Sequence, residues 1–123
     1  MKLLWLTLGG ALGALMRYIF SGFVYKFMGV SFPYGTLAVN LIGCFILGFS
    51  ISLAETRFII SPNIRMFLMI GFLGAFTTFS TFMLETDNLL RDGEIMRTFM
   101  NVFLSITLGF ACLRIGSFAG KLL

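Results

Sequence analysis

The chain alternates between four long stretches without a charged residue and short segments that collect the charges. The uncharged stretches are residues 3–16, 27–54, 66–84 and 98–113. A helix that crosses a membrane needs about 20 mostly apolar residues. The pattern therefore predicts an all-α membrane protein. Its single domain would have four transmembrane helices, at about residues 3–24, 34–54, 66–85 and 98–121.

The composition indicates that a membrane, and not water, is the solvent. Hydrophobic residues fill 59% of the 123 positions, glycine adds 14 residues, and histidine is absent. A chain this short has too little interior to hide so many apolar side chains from water. Four spans use about 80 residues, which leaves no room for a soluble domain. We therefore expect a multi-pass protein of the cell membrane whose function lies inside the lipid bilayer.

The basic residues are almost evenly divided between the two sides of the predicted helix bundle. With four spans, both termini and the middle loop share one side, and its basic residues are Lys2, Arg57, Arg65 and Lys121. The opposite side carries Lys26, Arg91 and Arg97. Because lysine and arginine bias normally sets orientation, this balance allows insertion both ways and an antiparallel homodimer. A single prevailing orientation is the alternative that charge counting leaves open.

Glycines recur at a spacing that favours close helix packing. Gly9 and Gly13 in the first predicted span form a GxxxG pair, and Gly116 and Gly120 form another in the fourth. Small residues four apart allow helix backbones to approach each other inside a membrane. We expect both pairs to lie at helix contacts.

The third predicted span contains a segment that is poorly suited to a regular helix. Residues 71–82 (GFLGAFTTFSTF) place two glycines and four hydroxyl residues at membrane depth. Glycine and threonine are weak helix formers, and hydroxyls compete for backbone hydrogen bonds, so we expect a break near Gly74 to Thr78. The unwound backbone would expose carbonyl oxygens that suit a buried monovalent cation. The alternative is a kinked helix whose hydroxyls bond to carbonyls four residues earlier.

Aromatic and polar residues around this segment favour a path for a small anion. Phe79 and Phe82 are three residues apart, and the edge of an aromatic ring carries a partial positive charge. Asn40 brings amide donors that need a partner at membrane depth. Further hydroxyl donors are Ser80, Thr81 and Ser105. The alternatives are phenylalanines that face lipid or other helices, and polar side chains that serve only as interhelical hydrogen bonds.

Three motifs stand in a fixed order along the chain. They are residues 10–18 (GALGALMRY), 35–40 (GTLAVN) and 74–82 (GAFTTFSTF), the last followed by Glu85. Together they closely resemble the Fluc (CrcB) fluoride channels of microbes, and the resemblance covers the whole chain. It implies an antiparallel, dual-topology homodimer with two fluoride pores and a structural sodium ion at the dimer centre.

The resemblance also implies roles for individual residues. Gly74 and Thr77 would give backbone carbonyls to the sodium ion. Phe79 and Phe82 would be the pore phenylalanines, and Asn40 would be the pore amide. The remaining residues of the polar track would be Thr36, Ser80, Thr81 and Ser105.

Four further positions concern how closely the chain follows the family pattern. Arg17 matches an arginine near one end of the first helix, where it would line a basic vestibule or anchor the helix at the interface. Ala75 stands where the family often has a second glycine. Asn101 stands where many members have tyrosine, and Gly109 where some have serine. The last two changes remove hydroxyls from the track in the fourth span.

The function we expect is a fluoride-selective channel that lets fluoride leave the cell passively and so gives fluoride resistance. The alternative is a small proton-coupled multidrug-type exporter, which needs a carboxylate near mid-membrane, whereas Glu55 and Glu85 lie at the ends of spans. A non-conducting membrane assembly factor is a third hypothesis. Without histidine or a carboxylate pair inside the membrane, we expect no enzyme, and we expect no nucleic-acid partner.

Overall fold

The computed structural model describes residues 1–56 and 60–123; Arg57, which entered the charge comparison, lies outside the described residues. The helices are α1 (Lys2–Met28), α2 (Tyr34–Thr56), α3 (Pro62–Arg65), a π-helix (Met66–Phe72), α4 (Leu73–Phe76), α5 (Ser80–Arg91) and α6 (Ile95–Leu122). In this described part of the chain, four helical segments are long and apolar enough to cross a membrane, namely α1, α2, the run Pro62–Arg91, and α6. The predicted all-helical arrangement of four long apolar segments is confirmed.

All four helical segments extend beyond the spans that the charge pattern predicted, and α1 and α6 show the reason. Helix α1 continues to Met28 instead of ending near residue 24, and α6 begins at Ile95 instead of near residue 98. Charged residues end an apolar run without ending a helix, because the helical backbone satisfies its own hydrogen bonds on both sides of the membrane surface. Backbone geometry ends these helices instead. Gly29 follows α1 with φ 85°, and Gly93 precedes α6 with φ 76°, a region that favours glycine.

The third span is broken where the sequence predicted a break. Helix α4 ends at Phe76, and Thr77 is extended with φ −87° and ψ 156°. The helix resumes at Ser80. The π-helix that precedes α4 was not predicted, because residues Met66–Phe72 carry no pattern that separates a π-helix from an α-helix. Its wider turns change the rotation of the chain just before the break.

Glycines bring the backbones of α2 and α6 into direct contact. The backbone of Gly48 lies against the carbonyl of Leu113, and the backbone of Gly116 lies against the carbonyl of Phe45, so that a Cβ at either glycine would overlap it. Gly120 is similarly close to Phe49. The two helices are therefore held together along their second halves by direct backbone approach.

Helix α1 packs on the first half of the third span in the same way. A Cβ at Gly9 would overlap the carbonyl of Phe67, and a Cβ at Gly13 would overlap the carbonyl of Phe72. Both GxxxG pairs therefore lie at helix contacts, as predicted. The half of the third span before the break is attached to α1 by these glycines.

The surface of the described chain is largely apolar. On α6, Phe99, Phe103 and Phe110 are 63%, 52% and 66% exposed. The most deeply buried large hydrophobic side chains are few, and they include Val39, Leu73, Phe76 and Phe82. Such an exterior is stable when lipid or another protein chain covers it, which is what a membrane location provides.

We predict that Gly116→Ala destabilises the fold, because the added methyl group would overlap the carbonyl of Phe45, which belongs to the backbone and cannot rotate away. The expected loss is about 1–3 kcal/mol, measured as a lower midpoint of thermal unfolding in detergent micelles. Gly22→Ala is the matched control, since no atom lies within 4 Å of a Cβ there and alanine favours the helix. Equal midpoints for the two variants would contradict close packing of α2 on α6.

Candidate functional site

The amide of Asn40 on α2 is paired with the backbone of Thr78 in the break. The Thr78 N–H donates to Asn40 Oδ1 at 2.8 Å, and Asn40 Nδ2 donates to the Thr78 carbonyl at 3.0 Å. One side chain thus satisfies both backbone groups of a residue that has no helical partners. Inside a bilayer, unpaired backbone groups are strongly unfavourable, so this pairing makes the break possible. The predicted need of Asn40 for a partner is met by the break itself.

Threonine hydroxyls complete the two ends of the break. The Thr77 hydroxyl donates to the Leu73 carbonyl at 2.8 Å. A bond of this kind, to a carbonyl four residues earlier, is what the alternative of a kinked helix required. The Thr78 hydroxyl accepts the N–H of Thr81, in the first turn of α5, at 3.3 Å. The chain is nevertheless unwound between Phe76 and Ser80. Hydroxyl bonding therefore stabilises a broken helix here and does not replace the break with a kink.

Gly74 and Thr77 present carbonyl oxygens that have lost their helical donors. In a continuous helix these carbonyls would accept the N–H groups of Thr78 and Thr81. Those two N–H groups are bonded instead to Asn40 Oδ1 and to the Thr78 hydroxyl. Within residues 1–56 and 60–123, no hydrogen bond to either carbonyl is present. The space beside Gly74 is also open, with no atom within 4 Å of an added Cβ.

A cavity of about 410 Å³ lies beside the break and collects most of the predicted site residues. Those residues are Asn40, Gly74, Thr77, Phe79, Phe82 and Ser105. Among the described residues, no charged side chain lines the cavity. The hydroxyl of Ser105 is buried and has no hydrogen-bond partner in the described part of the chain. Since an unpaired buried hydroxyl costs free energy, it is available to a ligand.

The two phenylalanines of the cavity form an edge-to-face pair. Their ring centroids are 5.8 Å apart and the planes are inclined by 63°. Phe82 is only 6% exposed, whereas Phe79 is 72% exposed. One ring is therefore held inside the chain, and the other borders the cavity where it opens outward.

A second cavity of about 360 Å³ contains three other predicted residues, Arg17, Thr36 and Thr81. Thr78 lines both cavities, so the segment paired with Asn40 separates them. Ser80 is exposed and lines neither cavity. The predicted polar residues are thus divided between two compartments that meet at Thr78, and one of them lies outside both.

The sequence of the chain matches the profile of the family described as "CrcB-like protein, Camphor Resistance (CrcB)" over residues 4–117. The chain belongs to the CrcB family. This agrees with the family that the three motifs indicated.

Relatives of this CrcB-family chain match it along nearly its full length. It is 46% identical to the fluoride-specific ion channel FluC of Desulforapulum autotrophicum over 99% of this chain and 98% of that protein. The protein of the same name from Citrifermentans bemidjiense is 47% identical with the same coverage. That from Magnetococcus marinus is 42% identical over the whole of both chains.

Sequence reasoning missed a polar contact that joins three helices of the CrcB-family chain. Glu85 on α5 accepts the hydroxyl of Tyr25 on α1 at 2.7 Å and the hydroxyl of Thr36 on α2. The proton of Thr36, predicted for the polar track, is therefore donated to Glu85. Tyr25 lies near the end of α1, Thr36 near the start of α2 and Glu85 near the predicted end of the third span, so all three are expected on the same side of the membrane. A carboxylate there forms strong hydrogen bonds with hydroxyl donors. That shared side of the membrane is the sequence signal that could have linked them.

We predict that Asn40→Leu destabilises the break, because both backbone groups of Thr78 lose their partner. Each unsatisfied group costs about 1–3 kcal/mol. The expected result is faster hydrogen exchange at the Thr78 amide and a lower thermal midpoint in micelles. Asn63→Leu makes the same chemical change at an exposed residue of α3 and should leave both measurements unchanged. Protection of the Thr78 amide in Asn40→Leu would contradict this account of the break.

Proposed function

We propose that this protein is a fluoride-selective ion channel that lets fluoride leave the cell passively and so lowers its cytoplasmic concentration. The observation that carries the proposal is the uncharged cavity beside the broken span, which combines Asn40, Ser105 and two phenylalanines. Membership of the CrcB family supports the proposal. So do the names of its relatives as fluoride-specific ion channels at 46% and 47% identity.

The cavity can replace the water around a small anion with neutral donors. Asn40 uses one N–H of its amide on Thr78, and an amide nitrogen carries two, so one remains. The unpartnered hydroxyl of Ser105 offers another donor. The edges of the Phe79 and Phe82 rings add partial positive charge. Conduction requires binding that is weak enough for release, and the absence of a lining cation satisfies that condition.

The second cavity provides an approach to this site. Arg17 gives it a positive charge that attracts anions, and its polar wall continues through Thr81 to Thr78. Because Thr78 also lines the larger cavity, an ion would pass the segment that Asn40 holds. We assign Arg17 to an anion-attracting vestibule on this basis.

We further propose that a sodium ion is bound by the carbonyl oxygens of Gly74 and Thr77. The site fits such an ion because both carbonyls lack their helical donors and carbonyl oxygens are suitable ligands for a bare monovalent cation. Two carbonyls from one chain are an incomplete coordination shell, so a second chain would supply the same pair. The bound ion would supply a positive charge that offsets the converging carbonyl dipoles.

The incomplete coordination shell of the proposed sodium site also supports an antiparallel homodimer with dual topology in the cell membrane. Gly74 faces open space, and Phe79 is largely exposed, so the larger cavity is open on one side. A second copy would close it. The even division of basic residues permits both orientations, which an antiparallel pair requires.

We predict rapid fluoride efflux from liposomes that contain the purified protein, without matching chloride efflux. Phe79→Ile and Asn40→Asp should abolish it, because the first removes a ring edge and the second places a negative charge beside the anion. Phe118→Ile, an exposed residue of α6 outside the cavities described, should conduct like the parent. A fluoride-selective electrode records all four proteins.

Trapped fluoride in the parent liposomes would contradict the channel and leave the non-conducting assembly factor. Fluoride that moves only under an imposed proton gradient would instead support the proton-coupled exporter. Equal efflux of chloride would contradict selectivity while leaving an anion pore.

We predict that sodium stabilises the protein specifically. The thermal midpoint in micelles should rise with sodium concentration at constant ionic strength, because an ion that binds only the folded state stabilises it by mass action. Potassium and N-methyl-D-glucamine serve as the matched salts and should give lower midpoints. Identical midpoints in the three salts would contradict the sodium site without affecting the efflux prediction.

A further inference from the structure

Asn101 is the most deeply buried polar side chain of α6 and connects that helix to the second half of the third span. It is 1% exposed, and its Nδ2 donates to the Thr86 hydroxyl on α5 at 2.9 Å. Within residues 1–56 and 60–123, no other side chain of α6 is hydrogen-bonded to another helix. The bond therefore fixes the position of α5 relative to α6 at the level of Asn101 and Thr86.

The hydrogen bonding continues from Thr86 to the backbone of Phe82. The Thr86 hydroxyl donates to the Phe82 carbonyl at 2.6 Å. A hydroxyl has one proton, so the Thr86 oxygen must accept from Asn101 while it donates to Phe82. The direction of both bonds is thereby fixed, and each strengthens the other by polarisation.

Phe82 lies four residues after Thr78 of the break and four residues before Thr86 of α5. Phe82 and Thr86 are both helical, and residues at this spacing share a helix face. Asn40 holds Thr78 from α2, and Asn101 holds Thr86 from α6. Two asparagines on different helices thus hold the chain on either side of Phe82, one at the break that precedes α5 and one within α5.

Helix α5 needs such anchors because the break separates it from the rest of its span. No continuous helical backbone joins it to α4, so α4 does not set its depth or its rotation. Helix α6 does not need the same bond for its own attachment. It is already packed on α2 through Gly48 and Gly116, at the half of α6 that lies away from Asn101.

We propose that Asn101 is a positioning residue that sets, through Thr86, the placement of the Phe82 ring in the conducting cavity. The inference rests on the proposed function, in which Phe82 lines the fluoride path. In this proposal Asn101 affects ion passage through the position of Phe82, and the Thr86 hydroxyl links Asn101 to Phe82. Neither residue lines the cavity itself.

The test is the unitary fluoride current of single channels in planar bilayers. Thr86→Val keeps the shape of the side chain but removes the hydroxyl, and Asn101→Leu removes the donor. Each should lower the unitary current about fivefold to tenfold, the factor that corresponds to one net hydrogen bond. The double variant should conduct like either single variant, because both changes interrupt the same chain of bonds.

Two matched variants complete the design. Thr86→Ser retains the hydroxyl and should keep the parent current. Thr107→Val removes a hydroxyl that bonds only to the Phe103 carbonyl of its own helix, on the exposed face of α6, and should also keep it. A purely structural role would reduce the number of active channels but not the current of each one, since only folded channels conduct.

The possible outcomes separate this inference from the proposed function. A parent protein that carries no fluoride current contradicts the proposed function and this inference with it. A conducting parent with unchanged unitary currents in Thr86→Val contradicts the inference alone. Additive losses in the double variant contradict it as well. If Asn101→Leu yields no folded protein, the comparison of Thr86→Val with Thr86→Ser still decides.

Discussion

The pairing of Asn40 with the backbone of Thr78 is the interaction on which the rest of the site depends. A bilayer offers no water to satisfy exposed peptide groups, so a break inside a span is stable only where other groups replace the lost bonds. Asn40 replaces two of them with one side chain. Because it occupies the Thr78 N–H, it also deprives the Gly74 carbonyl of its helical donor. One amide therefore stabilises the break and leaves a carbonyl oxygen without its helical donor.

Much of this architecture could be predicted from the sequence because membrane constraints are strong. Charges cannot remain unpaired at depth, so uncharged runs indicated the four spans, and the density of glycine and hydroxyl residues in one span indicated the break. The GxxxG pairs indicated contacts because only small residues allow backbones to meet. Each of these features depends on local composition, which a single sequence contains.

The remaining features depend on which groups meet in space, which composition does not specify. The sequence indicated that Asn40 needs a partner but not that the partner is Thr78. Thr36 was predicted for the polar track, and its hydroxyl is bonded to Glu85. Thr81 and Arg17 lie in a separate cavity from the phenylalanines. Hydroxyl groups accept and donate in many directions, so their partners follow from helix rotation, which the π-helix before the break alters.

The polar residues that line the larger cavity are all uncharged. This property distinguishes a pore from a proton-coupled transporter. A proton-coupled exporter needs a carboxylate that exchanges a proton for its substrate. The carboxylate nearest the break in sequence, Glu85, accepts two hydroxyls and ties three helices together, which favours a fixed structural acceptor. The groups that remain free are the second N–H of Asn40, the Ser105 hydroxyl and the ring edges of two phenylalanines. These groups can bind a small anion in place of water and then release the anion. None of them takes up or releases a proton at neutral pH.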